Sequence, residues 1–218
     1  MNKEWSELNK TMQTQIKKKD SFDPGIRTLL ELRGELWDTV LSLKNDLSRE
    51  DFNAIPFINA DGYHSKTIAY SLWHIFRIED IVAHTLIAED EQVFFNENYQ
   101  QRINASIITT GNELVKQEIA DFSKELDLDE LYNYIGDVKN STEKILERLS
   151  FDDMKNKISD ETKEKLKSLH VVSEEESAVW LIDYWCGKDI RGLIQMPFSR
   201  HWIMHLEASL RIKNKIRL

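Results

Sequence analysis

Residues 66–87 read KTIAYSLWHIFRIEDIVAHTLI, from Lys66 to Ile87, with no glycine or proline to break a helix. Wound at 3.6 residues per turn, Ile68, Leu72, Ile75, Val82 and Leu86 fall on one arc, and Tyr70 and Ile81 fall on another. Ser65 stands where a capping side chain is expected. Arg77, Asp80 and His84 make a polar stripe, which places His84 in solvent. His74 lies between the two apolar arcs, where a side chain shared with a neighbouring helix should sit.

The same periodicity recurs on both sides of this segment. Asp23-Pro24-Gly25 reads as a helix start, and Ile26, Leu29, Leu30, Leu32, Leu36, Trp37, Val40, Leu41 and Leu43 follow at spacings of three and four, ending near Leu47. Residues 88–127 are less regular, with an acidic patch, Phe94-Phe95 and a short helix expected over Asn112 to Lys124, and they read as a long crossover. A third helix is expected from Leu128 to about Leu149, followed by a lysine-rich connection to Ser173. Ser173-Glu-Glu-Glu176 resembles a capping box opening a helix through Trp185. After Cys186-Gly187-Lys188-Asp189 and Pro197, a last helix is expected from Phe198 to about Lys213. The fold class is therefore all-α: a four-helix bundle with a long crossover and extra short helices, one domain over residues 1–218. Residues 1–23 read as an N-terminal arm or extra helix.

Seven glycines and three prolines in 218 residues leave little turn chemistry for a many-stranded fold. The net charge of -9 opposes binding to a phosphate backbone, so no nucleic-acid partner is expected. No run approaches the roughly 20 apolar residues of a membrane span. One cysteine, Cys186, cannot form an internal disulfide, and the first 20 residues carry no apolar signal-like run, so a cytoplasmic protein is expected.

Near the other end of the chain, His201-Trp-Ile-Met-His205 puts two imidazoles about 40° apart on a helix, on the arc of Met204, Ala208 and Ile212. Burying two imidazoles takes several well-placed partners, and a shared metal ion supplies one to both. With His74 they would make a three-nitrogen site with an open position, the arrangement of catalytic zinc. Glu79 projects into the apolar arc of its helix and needs a partner. It either orients an imidazole, acts as a base and so is the candidate catalytic residue, or pairs with an arginine of the first helix such as Arg33. Glu207 should point toward Arg211 and solvent, and His64 and His170 lie in connections. Lys188 and Arg191 either rim a pocket or form an ordinary charged loop. The tryptophans Trp73, Trp180, Trp185 and Trp202 are core or pocket wall.

Ser71-Leu-Trp-His74-Ile, with Glu79 following, and Arg200-His201-Trp-Ile-Met-His205-Leu-Glu207 resemble the motifs of the DinB-like superfamily of metal-binding four-helix bundles, which includes bacillithiol S-transferases. The resemblance covers roughly Pro24 to Ile212. It implies a metal held by His74, His201 and His205, the ion being zinc, nickel or iron. It further implies a low-molecular-weight thiol, a small-molecule substrate and a homodimer. The expected activity is thiol S-transfer to a small electrophile; the alternatives are metal-dependent hydrolysis and a non-catalytic, metal-stabilised bundle.

Overall fold

The computed structural model describes residues 2–217, apart from the side chain of Tyr63; Met1 and Leu218 lie outside them. The described residues form helices and connections without a strand, the nearest approach being one isolated bridge between Lys157 and Asp189. The expected N-terminal extra helix is α1 (Lys3–Gln15), started by Asn2, whose side-chain oxygen accepts the N–H groups of Glu4 and Trp5. It lies along α2 (Phe22–Asp46) and buries Trp5 and Met12 there.

Segment 66–87 becomes α3 (Ile68–Asp80), which runs on as a π-helix over Ile81–Ala88. The cap is Thr67, whose hydroxyl accepts the Tyr70 N–H at 3.0 Å, and not Ser65, which bonds Gly62 instead. Helix α4 (Leu128–Arg148) starts on the Asp127 carboxylate, as an N-terminal dipole favours. Next come α5 (Glu176–Cys186) and α6 (His201–Ile216). No capping box forms at Ser173, because its hydroxyl closes a local turn onto the Glu175 N–H, two residues on. Pro197 sits inside a π-turn (Met196–Arg200) that feeds α6, near its start, where its missing N–H costs no helical bond.

Four of these helices make the bundle: α2 packs on α4 and α6, and α3 packs on the same two from the opposite corner. Their apolar faces meet in two clusters. One gathers Leu36, Leu72, Ile75, Phe76, Ile135, Trp202 and Leu206; the other gathers Leu29, Ile78, Val82, Leu146 and Phe198. On α2 and α3, and between Phe198 and the start of α6, the change from one cluster to the other falls where Arg33, Glu79 and Trp202 meet in a buried polar layer.

The polar stripe of α3 is not solvated. Arg77, Asp80 and His84 are all buried, because the crossover lies on them. Arg77 donates its Nε–H to the Ile108 carbonyl at 2.9 Å and stacks over Phe94. The Asp80 carboxylate accepts the N–H groups of Val93 and Phe94 and the Tyr134 hydroxyl, each at 2.9 Å, and so starts a short helix over Val93–Asn96. His84 Nδ1 lies 2.6 Å from Asp90 Oδ1. The crossover also contains a helix over Tyr99–Ile103 and one over Gln117–Glu125, the latter starting five residues later than the spacing predicts. The delay has a cause at Gly111, whose φ of 77° no side-chain-bearing residue adopts easily and whose missing Cβ leaves room for the Tyr70 ring.

Candidate metal centre

Three helical turns carry the candidate ligands. His74 lies on α3, and His201 and His205 lie one turn apart on α6, which packs beside it. All three imidazoles are buried, and one nitrogen from each can be chosen so that all lie within 4.8 Å of one another. Ring centroids are 5.0 Å apart for His74 and His201, 4.8 Å for His74 and His205, and 4.7 Å for the α6 pair. This is the grouping of three His, Cys, Asp or Glu side chains that could hold a metal ion among the described residues.

The tautomer of His74 is set by the crossover. Its Nδ1 is 2.8 Å from the Thr110 carbonyl, which can only accept, so Nδ1 carries the proton and Nε2 presents its lone pair. Tyr70 stacks on the other side of the ring, centroids 5.5 Å apart, and its hydroxyl donates to the Gly111 carbonyl at 2.8 Å. Helix, stacked ring and loop carbonyl thus fix one imidazole in place.

Burial pushes the imidazole pKa values down, that of His74 to about 4 and those of His201 and His205 well below the ordinary value. Proximity of the rings to one another adds to the shift at His201 and His205. Neutral imidazole is the form that ligates a metal. The residues fit such an ion on a further count: His201 Nδ1 is buried with no hydrogen-bond partner, a cost that coordination or a ligand would relieve.

In the metal-free protein these shifts carry a testable sign. The unfolded chain takes up protons at a histidine pKa near 6.5, whereas the fold holds its imidazoles neutral well below that, so the unfolded state binds more protons in between. Stability of chelator-treated protein is therefore expected to be full above about pH 6.5 and to fall as the pH drops from there toward about 4. Urea midpoints through that window would check it, and equal slopes for wild type and His74→Gln would contradict it.

The other sequence candidates fall outside the cluster. Glu79 is fully buried and accepts two hydrogen bonds from Arg33, at 3.0 and 2.8 Å, and one from the Trp202 indole at 2.7 Å. It pairs with the first-helix arginine, as one of its readings expected, and lines no part of the cavity at the histidines. Glu207 accepts the Asn2 N–H, tying α6 to the start of α1. His170 takes a left-handed turn on the exposed surface. Cys186 is half-buried, and burial raises its thiol pKa, opposite to what a nucleophilic thiolate needs.

A cavity of about 560 Å³ opens onto all three histidines. Its far wall is α5, with Trp180, Leu181, Tyr184 and Trp185 facing Met204 and Pro197. Lys188 and Arg191 do not reach it; the cation that lines it is Lys66. Lys66, Tyr70 and His74 recur at a spacing of four, a signal that could have placed this lysine on the face of the ligand. Thr110 could not have been found so, because it contributes a backbone atom. No helix among the described residues is long and apolar enough to cross a membrane. The chain matches no family model, and no curated protein matches it either.

Proposed function

We propose that the protein is a divalent-metal-dependent enzyme of the thiol S-transferase type, related to the DinB-like bundles that its two histidine motifs resemble. The observation that carries this reading is the convergence of three neutral, buried imidazoles on a cavity that reaches the surface. A structural zinc site is closed by a fourth protein ligand, whereas the cluster contains three and faces open volume among the described residues. Zinc, nickel or iron(II) suits an all-imidazole set. When bound there, such an ion would act as a Lewis acid that lowers the pKa of a small thiol, so that the nucleophile is available at neutral pH.

The chain's own residues do the rest. His74, oriented by Thr110, and the His201 and His205 pair would hold the ion where they line the cavity. The α5 wall gives an apolar side to the space in which a thiol and an electrophile would meet. With cysteine as the thiol and a chlorodinitrobenzene as the electrophile, a new carbon–sulfur bond forms, chloride leaves, and the thiol proton goes to buffer. Metal-loaded protein is expected to accelerate this conjugation, while chelator-treated protein and His205→Ala lose the acceleration. Absence of metal-dependent turnover across several biological thiols, with spectra of cobalt-substituted protein unchanged by thiol, would favour a metal-stabilised scaffold instead.

A further inference from the structure

The cavity has a chemistry beyond its histidines. The chain carries a net charge of -9, yet among the described residues not one carboxylate lines this cavity, and one lysine does. Lys66 is partly buried and makes no hydrogen bond or ion pair among the described residues; its Nζ rests 4.9 Å from the centre of the Tyr70 ring. Burial accordingly pulls its pKa down. An ammonium partly withdrawn from water and given no counter-charge is an anion site awaiting its anion.

The opposite wall differs in kind. Trp180 is 50% exposed at the mouth, a large aromatic surface left in water, with its indole N–H already satisfied by the Ser177 carbonyl. Tyr184 packs edge-on against it at 5.6 Å, and Leu181 and Trp185 continue the apolar surface inward. A volume of about 560 Å³ lies within the range of small-molecule sites and exceeds what a thiol alone needs.

We propose that this cavity selects an aromatic acid: a flat apolar body against Trp180 and Trp185, and one carboxylate, sulfonate or phosphate on Lys66. The proposal rests on the reading of the site as an enzyme's and names its substrate class, because Lys66, just before the Thr67 cap of α3, lies over Tyr70, which stacks on His74, and so would set the anion beside the three histidines. Lys66 acts here as a specificity-determining residue. It touches the bound molecule's charge, away from the reacting atoms.

Two dyes test this: anilinonaphthalene sulfonate, and phenylnaphthylamine, which has the same rings without the sulfonate. Wild type is expected to bind the sulfonate dye at one site, more tightly than the neutral dye. Lys66→Gln should weaken the sulfonate dye by about tenfold, the scale of one charge-assisted contact, and leave the neutral dye unchanged, while Lys66→Arg restores most of the difference. Trp180→Ala should weaken both dyes. Unchanged sulfonate-dye affinity in Lys66→Gln, equal loss of both dyes in that variant, or indifference of both to Trp180→Ala would each overturn the proposal. Metal content, measured on the same samples, should not change in Lys66→Gln. Dye discrimination that persists without thiol turnover would sink the transferase reading and leave the anion site standing; turnover without discrimination would do the reverse.

Discussion

His201→Ala is expected to lower zinc affinity by roughly a hundredfold or more, because even groups that only orient a ligand are worth 10–100-fold and this change removes a donor itself. Equivalent losses are expected for His74→Ala and His205→Ala, the other two members of the cluster. The control is His84→Ala, which removes an imidazole paired with Asp90 on the π-helical continuation of α3, outside the three-histidine cluster, and should leave metal content intact. A melting experiment separates binding from folding. Bound ion stabilises by mass action, so wild type should melt higher on adding zinc. His201→Ala should show no such rise, although its metal-free melting should change little, since the variant also removes the partnerless Nδ1. Full metal occupancy in His74→Ala would refute a three-ligand centre.

The other large effect is expected at Glu79. Glu79→Ala leaves the Arg33 guanidinium buried without its bidentate partner and the Trp202 indole without its acceptor. Breaking a buried pair from one side costs about 3–5 kcal/mol. The lower end applies here, because Arg33 keeps the Glu143 carboxylate and the Phe198 carbonyl, each at 3.2 Å. Glu79→Gln should be milder, since the amide keeps an acceptor, and Arg33→Met combined with Glu79→Leu should recover most of the loss by removing both charges. Urea midpoints report all three. A base would behave otherwise, with Glu79→Gln losing turnover at unchanged stability, and an unshifted midpoint for Glu79→Ala would remove the structural role assigned to the pair.

How much of this was legible follows from what periodicity encodes. The arcs of Leu29, Leu32, Leu36 and of Ile68, Leu72, Ile75 mark faces that must be buried, and the bundle helices stand within a few residues of their expected bounds. The spacing of His201 and His205 brings both to one side of α6 because a helix repeats every 3.6 residues, whatever packs on it. A polar stripe is more ambiguous. Arg77, Asp80 and His84 read as a polar stripe in sequence, yet the groups that bond them are backbone atoms at Ile108, Val93 and Phe94, the Tyr134 hydroxyl and one acid at Asp90. Polarity says that a group needs partners and does not say whether water supplies them. The same blindness hid the Thr110 carbonyl. At Ser65 and Thr67 two competent caps stood two residues apart, and only the position of the first helical N–H decides between them.

The hold of the Thr110 carbonyl on His74 would tie the residence time of an ion bound by the three histidines to a loop. Helices α3 and α6 are packed along their length, but the carbonyl that keeps the ring from turning stands on an irregular stretch pinned by the Tyr70 hydroxyl at Gly111. Excursions of that stretch away from Tyr70 would free one imidazole to rotate while the bundle stays folded. Dissociation would then proceed at the frequency of loop opening, so Tyr70→Phe, which removes one of the three α3 side-chain bonds to the loop, beside those of Trp73 to Thr109 and Arg77 to Ile108, and keeps the stacked ring, should speed ion release more than it lowers the melting temperature.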